Sequence, residues 1–179
     1  MPRGSKAESL AELLAERGAH LALVARRKDP LETLAARLAG AHGVQTRVFA
    51  LDLVRRGMAP IDRSADKLAA FIDEVRTRTG APTVSLVGHS QGGMLGRYAA
   101  KFRDKLAVID DIVGLAPSSH GTTNPLAPGA GLICPACAEQ AAGSAFVRKL
   151  NAAPEAPPPP SYTVVSTRYD AVVTPYTSQ

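Results

Sequence analysis

Aromatic residues are scarce in this sequence: they make up 4% of its 179 residues, and tryptophan is absent. Lysine and arginine outnumber the acidic residues by 21 to 16, but the basic residues are interleaved with glutamate and aspartate along helix-like segments. A nucleic-acid groove needs clustered basic side chains and stacking rings. We therefore expect no nucleic-acid partner, and we interpret the net charge of +5 as solvated helix faces.

Long apolar runs are also lacking. Hydrophobic residues make up 45% of the chain, close to the average of globular proteins, but no run is long enough to cross a bilayer. We therefore expect no transmembrane segment and a chain large enough to bury one core. The N-terminal residues 1–20 carry acids within their apolar repeat and have no cleavage-site pattern, so the sequence predicts no signal peptide.

Cysteine occurs only at Cys134 and Cys137. A zinc site needs about four ligands, and no second cysteine pair exists to complete one, so we predict no metal. A redox-active pair would start at a helix N-terminus directly after a strand. This pair instead follows a segment rich in glycine and proline that we interpret as a loop. A small structural disulfide and two reduced thiols remain as alternatives at this point.

Apolar runs with the lengths of strands alternate with segments of helical periodicity. The runs predict five strands, at 20–26, 44–52, 82–88, 107–117 and 161–170. Helical spacing predicts four helices, at 7–17, 29–38, 65–78 and 91–102. We expect Ser64 to cap the third helix. The alternation predicts an α/β fold with a mostly parallel sheet covered by helices on both faces, and a ligand site at the carboxyl ends of the strands.

The sequence GHSQG at Gly88–Gly92 places Ser90 where an apolar strand passes into an amphipathic helix. This context is typical of a nucleophile elbow, in which a tight turn strains the serine backbone and directs its hydroxyl outward. The backbone N–H of Gln91 would then donate to the oxyanion that forms during acyl transfer. We predict Ser90 as the nucleophile and Gln91 as the oxyanion donor. The alternative is a glycine-rich turn in which Ser90 merely caps the helix.

A serine nucleophile needs a histidine to take its proton and an acid to orient that histidine. We predict Asp170 as the acid, because it ends the last predicted strand at the same edge of the sheet as Ser90. The histidine is harder to assign among the four in the sequence. His89 is expected beside the site with a diverging side chain, His120 lies in a loop on the functional side, and no histidine follows Asp170. We therefore expect an incomplete triad.

Four segments are similar to one lipase family and occur in the same order: VSLVGHSQGGML, GLAPSSHGTTNPL, CPACAEQAAGSAFVRKLN and SYTVVSTRYDAVVTPYTSQ. From about Met58 to Gln179 the sequence thus resembles the bacterial triacylglycerol lipases of the lipase class 2 family. The resemblance implies an α/β-hydrolase fold, incomplete here, with Ser90 as nucleophile and Asp170 as triad acid. It also implies a lipid or acyl-ester substrate, a Cys134–Cys137 disulfide, a secreted parent protein and a catalytic histidine downstream.

From about Gly4 to Leu53 the sequence instead resembles the N-terminal segment of a short-chain dehydrogenase, in LAELLAERGAHLALVARRKDPLETLAARLAG and VFALDL. That resemblance implies that Arg26 and Arg27 would favour the extra phosphate of NADP and that Asp52 would meet the adenine. The glycine-rich turn that receives the pyrophosphate should precede Ala7, where the sequence has only PRGSKAES. We therefore predict no bound cofactor.

The two resemblances suggest a joined chain, with a dehydrogenase-like segment at 1–53 and a lipase-like segment at 54–179. We expect the segments to pack as one compact unit. The function that the sequence favours is a serine esterase or lipase acting through an acyl-enzyme, with activity lowered by the missing histidine. The alternatives are a remnant of an NADP-dependent oxidoreductase and a non-catalytic fusion product.

Overall fold

The computed structural model describes residues 6–25, 28–50, 59–124 and 134–179. The chain forms two compact units, Met1–Asp52 and Leu53–Gln179, which we call the first and second units. Within the described ranges, every helix is too short or too polar to span a membrane. The expected packing of 1–53 and 54–179 into one compact unit stays a prediction.

In the first unit, helices and strands alternate in the order α1 (Lys6–Glu16), β1 (Leu21–Ala25), α2 (Lys28–His42) and β2 (Thr46–Ala50). The two strands pair in parallel, with Leu21 opposite Thr46. Gly18 follows α1 with φ of 80°, a conformation that glycine adopts without strain where a helix ends. The helices and strands enclose a small apolar core that includes Ala11, Ala15, Leu38 and Val44.

The second unit contains the elements α3 (Ile61–Thr79), β3 (Val84–His89), α4 (Gln91–Phe102), β4 (Ile109–Leu115), α5 (Pro135–Glu139), α6 (Ala145–Leu150) and β5 (Ser161–Val165). Its three strands form one parallel sheet in the order β3, β4, β5. The strands of both units lie at the five predicted positions, and their parallel pairing confirms the predicted α/β class. The helices α5 and α6 were not predicted, because each is only one or two turns long.

The register of the sheet aligns the carboxyl ends of its three strands. His89 of β3 pairs with Leu115 of β4, which in turn pairs with Val165 of β5. Segments that follow the strands therefore start from one edge of the sheet. In parallel α/β sheets this edge is where ligands bind.

Helix α4 packs directly on the sheet through its glycines and apolar side chains. A Cβ on Gly96 would lie 3.3 Å from Leu86 of β3 and 3.4 Å from Ile112 of β4, so the helix backbone comes close to both strands. Met94 is fully buried on the same helix, and burying a side chain of this size stabilises a fold by about 2 kcal/mol. The helix after Ser90 is thus packed against β3, an edge strand of the described sheet, and the central strand β4.

Helix α3 begins earlier than the sequence predicts. It starts at Ile61, and Ser64 is buried inside its first turn, where the hydroxyl donates to the Pro60 carbonyl at 3.4 Å. The predicted cap at Ser64 is therefore wrong. The Ile61 N–H instead donates to the carboxylate of Glu139 in α5 at 2.7 Å. A carboxylate from a distant part of the chain therefore caps the N-terminus of α3 in place of a neighbouring residue.

Candidate active site

Ser90 lies in the turn between β3 and α4, which we call the serine turn (residues 88–93). Its backbone has φ of 55° and ψ of −125°, in the left-handed half of conformational space that residues with a Cβ rarely adopt. The Ser90 N–H donates to the Leu115 carbonyl of β4 at 2.9 Å. Among the described residues, the Ser90 hydroxyl makes no capping hydrogen bond to α4. Ser90 thus occupies the N-cap position of α4 without its side chain capping the helix, and its role as nucleophile stays a prediction.

Two glycines allow the serine turn to close. A Cβ on Gly88 would lie 2.3 Å from the carbonyl carbon of Gly92, a distance that real Cβ atoms do not show. A Cβ on Gly93 would lie 2.7 Å from Pro117 and 3.1 Å from Gly114. A Cβ on Gly92 would meet no described atom within 4 Å, outside its neighbours and the backbone of its own helix. Sterically, the turn requires a glycine at Gly88, two positions before Ser90, but not at Gly92, two positions after it.

Gln91 is the first residue of α4. The first N–H groups of a helix have no carbonyl partner within the helix, so the Gln91 N–H beside Ser90 can donate to a developing oxyanion. Sequence patterns made no prediction about the surroundings of the Gln91 side chain. Its Nε2 is buried and has no hydrogen-bond partner among the described residues.

Asp170 lies beyond the end of the sheet. The sequence predicts a strand that runs to Asp170, but β5 ends at Val165. The residues that follow form what we call the acid segment (residues 166–179), in which the Asp170 N–H donates to the Thr167 carbonyl at 3.2 Å. The Thr167 hydroxyl in turn accepts from the Tyr169 N–H at 3.3 Å, and threonine side chains that bond backbone groups in this way favour turns. The predicted strand was therefore too long, although Asp170 still follows the carboxyl end of β5.

The Asp170 carboxylate accepts hydrogen bonds at both oxygens. Its Oδ1 accepts from the backbone N–H groups of Val172 at 2.8 Å and Val173 at 3.0 Å. Its Oδ2 accepts from Nε2 of Gln179 at 2.8 Å. The Val173 and Val172 N–H groups lower the pKa of Asp170 most; burial opposes them, and Gln179 and the charge of His89 lower it by smaller amounts. The carboxylate is therefore held ionised at neutral pH.

The acid segment is fastened to the segment that follows β4. The buried Thr122 hydroxyl donates to the Val172 carbonyl at 2.9 Å and accepts from the Thr174 N–H at 3.1 Å. The His120 N–H donates to the Ser178 carbonyl at 2.8 Å. These contacts hold the backbone at Val172 and after the two valine amides that bond Asp170.

The four histidines occupy four different environments. His89 is exposed at the end of β3, next to Ser90, and close enough to Asp170 for its charge to lower the pKa of that carboxyl. His120 bonds Glu155 at 2.9 Å, whereas His20 and His42 belong to the first unit. Within the described parts of the chain, no histidine hydrogen-bonds to Ser90 or Asp170.

Helix α4 carries a buried cation, Arg97, that no sequence pattern indicated. The Arg97 guanidinium donates to Oδ1 of Asn151 at 2.9 Å and to Oε1 of Glu155 at 3.3 Å. The same Glu155 oxygen contacts Nε2 of His120. Burial lowers the pKa of Arg97, and the nearby Glu155 opposes that shift. The partners are more than 50 residues apart in sequence, so no local pattern indicates this network.

The sulfur atoms of Cys134 and Cys137 lie at disulfide-bonding distance, 2.00 Å. The expected loop setting of this pair is wrong, because Cys134 is the N-cap residue of the short helix α5 and its sulfur accepts from the Cys137 N–H at 3.2 Å. The proline between them is at the first helical turn, where its missing N–H costs nothing. The pair therefore lies on a helix that ends with Glu139, the residue that caps α3.

Among its described residues, the first unit has a group of potential metal ligands, Glu12, Glu16 and His42, whose ligand atoms lie within 4.8 Å of one another. Glu12 already accepts from His42 at 2.7 Å and from the Arg37 guanidinium. The pKa of Glu12 is lowered mainly by the hydrogen bond from His42. A cation beside Glu12 would compete with the Arg37 charge, so we assign no metal to this group.

The cofactor-related residues Arg26, Arg27 and Asp52 lie outside the described residues. The resemblance of residues 4–53 to a short-chain dehydrogenase stays a prediction.

Comparison with known proteins gives a consistent result for the second unit. The sequence profile of a family described as Lipase (class 2) matches residues 44–178. A triacylglycerol lipase from Pseudarthrobacter phenanthrenivorans is 34% identical over 73 residues, which is 41% of this chain and 23% of that protein. The matched part thus spans less than a quarter of the length of this relative.

Two solved structures share the fold. Aspergillus fumigatus lipase B has a TM-score of 0.67 at 16% identity, and the match covers 90% of this chain and 40% of that one. The mature form of Bacillus licheniformis lipase BlEst2 has a TM-score of 0.58 at 18% identity, covering 75% of this chain and 57% of that one. At these identities the likeness concerns the fold, which is that of the α/β-hydrolases.

Proposed function

Because the chain belongs to the class 2 lipase family, we propose that it is a serine carboxylic-ester hydrolase that acts on lipid or other acyl esters. The observation that carries the proposal is the serine turn. Ser90 has a strained backbone with φ of 55°, and its hydroxyl makes no helix cap among the described residues. A fold keeps such strain where a side chain has to be presented in one direction.

The position of Asp170 supports the same proposal. The strands β3, β4 and β5 end in register, so the serine turn and the acid segment start from one edge of the sheet. Asp170 lies within electrostatic reach of His89, the residue that precedes Ser90. An ionised carboxylate near a serine nucleophile is what is needed to orient an imidazole and to stabilise its protonated form.

In the proposed reaction, Ser90 Oγ attacks the carbonyl carbon of the ester and transfers its proton to a base. The resulting oxyanion accepts from the Gln91 N–H, and one such donor lowers the barrier by about 3 kcal/mol. The base then gives the proton to the alcohol oxygen as the C–O bond breaks and the acyl-enzyme forms. Water, activated by the same base, releases the acid and restores the Ser90 hydroxyl.

Among the described residues, the base is the member of the triad with the weakest structural support. His89 is the imidazole within electrostatic reach of Asp170, but no hydrogen bond joins it to Asp170 or Ser90 in the described parts of the chain. The members of a triad act as a unit, so we expect this chain to turn over slowly. Slow turnover with an intact nucleophile would appear as acylation without rapid deacylation.

The experiment is a burst-phase assay with p-nitrophenyl butyrate. We expect the chain to release nitrophenolate in proportion to enzyme concentration, Ser90→Ala to release none above background, and Ser85→Ala to behave as the unmodified chain. Ser85 is an exposed serine on the same strand whose hydroxyl donates to Asp111 at 2.9 Å. Equal release by the unmodified chain and Ser90→Ala would contradict the proposal.

A further inference from the structure

The hydrogen bonds to Asp170 are divided unevenly between its two oxygens. Both backbone donors, Val172 and Val173, bond Oδ1, at 2.8 and 3.0 Å. Among the residues that the structure describes, only Gln179 bonds Oδ2, through Nε2 at 2.8 Å. The donors to Oδ1 are backbone N–H groups of the turn, which a side-chain substitution other than proline leaves in place. Oδ2 is therefore the oxygen at which one side-chain donor can be exchanged for another.

An acid that assists a serine nucleophile accepts one N–H from an imidazole. In this structure the Gln179 amide supplies an N–H at Oδ2, the oxygen at which such a contact can form. The amide and the imidazole N–H would therefore compete for the same lone pairs. The Gln179 side chain can mimic the donor of an imidazole, but it has no basic nitrogen with which to take a proton.

The other end of the Gln179 amide is poorly accommodated. Its Oε1 is buried and has no hydrogen-bond donor among the described residues. Rotating the amide by half a turn would place this oxygen against the Asp170 carboxylate, so the present orientation is the one that the hydrogen bonds favour. A buried acceptor without a donor destabilises the arrangement that contains it. The Gln179 amide thus donates to Asp170 through Nε2, while its Oε1 lacks a hydrogen-bond donor among the described residues.

We propose that Gln179 is a positioning residue that occupies the imidazole-binding oxygen of Asp170, and that a small side chain at position 179 opens this oxygen to a free imidazole. The inference rests on the proposed function of Ser90. The bound imidazole donates its N–H to Asp170 Oδ2, and its second nitrogen accepts the Ser90 Oγ proton as Oγ bonds to the attacked atom. The imidazolium then returns that proton to the leaving group.

The test measures the rate at which a fluorophosphonate labels Ser90 as free imidazole is added. In Gln179→Ala we expect a saturable rise of about tenfold or more, below the roughly 10²–10⁴-fold that a positioned side-chain base contributes. The unmodified chain and Thr177→Ala should rise less than about twofold by the same criterion. Thr177 is the matched control because it is exposed in the same segment. Adding Asp170→Asn to Gln179→Ala should abolish the rise, and an equal response in all variants would overturn the inference.

A second measurement does not depend on catalysis. The carboxyl carbon of Asp170 can be titrated by NMR in the unmodified chain, Gln179→Ala and Thr177→Ala. Since the Gln179 hydrogen bond lowers the pKa of Asp170, we expect a higher pKa in Gln179→Ala alone. An unchanged pKa would overturn the role of Gln179, whatever the labelling shows. A raised pKa without any labelling of Ser90 would retain Gln179 as the partner of Asp170 and reject the proposed hydrolase function instead.

Discussion

The serine turn and the acid segment hold their key side chains by different means. At the serine turn the constraint is local and steric, because Gly88 lies against the backbone of Gly92 and α4 packs on the sheet. In the acid segment the constraint is a set of hydrogen bonds, from Val172, Val173 and Gln179, to a carboxylate five residues past the end of β5. Glycine substitutions in the serine turn should therefore act mainly through stability, and substitutions in the acid segment mainly through the position of Asp170.

The largest effect is expected for Gly88→Ala. Its Cβ would lie 2.3 Å from both the carbonyl carbon and the oxygen of Gly92, so the turn would have to shift, at a cost of about 3 kcal/mol. Gly92→Ala is the matched control, since its Cβ meets no described atom within 4 Å beyond its own helix, and alanine should be neutral or favourable by up to about 1 kcal/mol. Urea unfolding of both variants measures this difference. Equal destabilisation would show that the turn is not limited by the Gly88 contact.

The next largest effect is expected for Thr122→Val. The substitution keeps the volume but removes the hydroxyl that binds the Val172 carbonyl and the Thr174 N–H, and leaving both unpaired should cost about 2 kcal/mol. Thr163→Val, at an exposed position of β5, should change the free energy of unfolding little. If the Thr122 and Thr163 variants unfold at the same urea concentration, the acid segment is not held through Thr122.

Ser90→Gly should have the opposite sign. Glycine adopts a φ of 55° without the strain that serine carries there, so we expect this variant to be more stable by about 1 kcal/mol. Ser90→Ala keeps a Cβ and should remain close to the unmodified chain. Thermal unfolding of the two variants separates them. A glycine variant no more stable than the alanine variant would mean that the backbone of the serine turn is unstrained.

The smallest effect is expected for Asp170→Asn and depends on pH. The pKa of Asp170 lies below its ordinary value of 3.8 in the folded state, so the folded chain binds this proton more weakly than the unfolded chain. The stability from this carboxylate is present above the unfolded pKa and lost as the pH falls through the folded pKa. Asp170→Asn should be less stable than the unmodified chain near about pH 6 and equal to it near about pH 2. If the difference in the free energy of unfolding between the two chains does not change with pH, it arises from packing rather than from the ionisation of Asp170.

Sequence patterns predicted the features that depend on neighbouring residues. The strand positions and the location of Ser90 between β3 and α4 follow from apolar runs and glycine spacing. The patterns failed where a partner comes from far along the chain: Glu139 caps α3 across 78 residues, and Arg97 meets Glu155 across 58. The extent of β5 was overestimated because residues that favour strands, Thr167 and Tyr169, continue past Val165, whereas the Thr167 side chain bonds the Tyr169 N–H and turns the backbone. Gln179 gave no signal at all, since a glutamine nine positions after an aspartate has no local meaning.

The most direct test of the account is to label the chain with a fluorophosphonate and to locate the adduct by peptide mass spectrometry. We expect a single adduct on Ser90, in the peptide that joins β3 to α4, which is lost in Ser90→Ala and retained in Ser85→Ala. An unlabelled chain, or an adduct on any other residue, would contradict the assignment of Ser90 as the nucleophile.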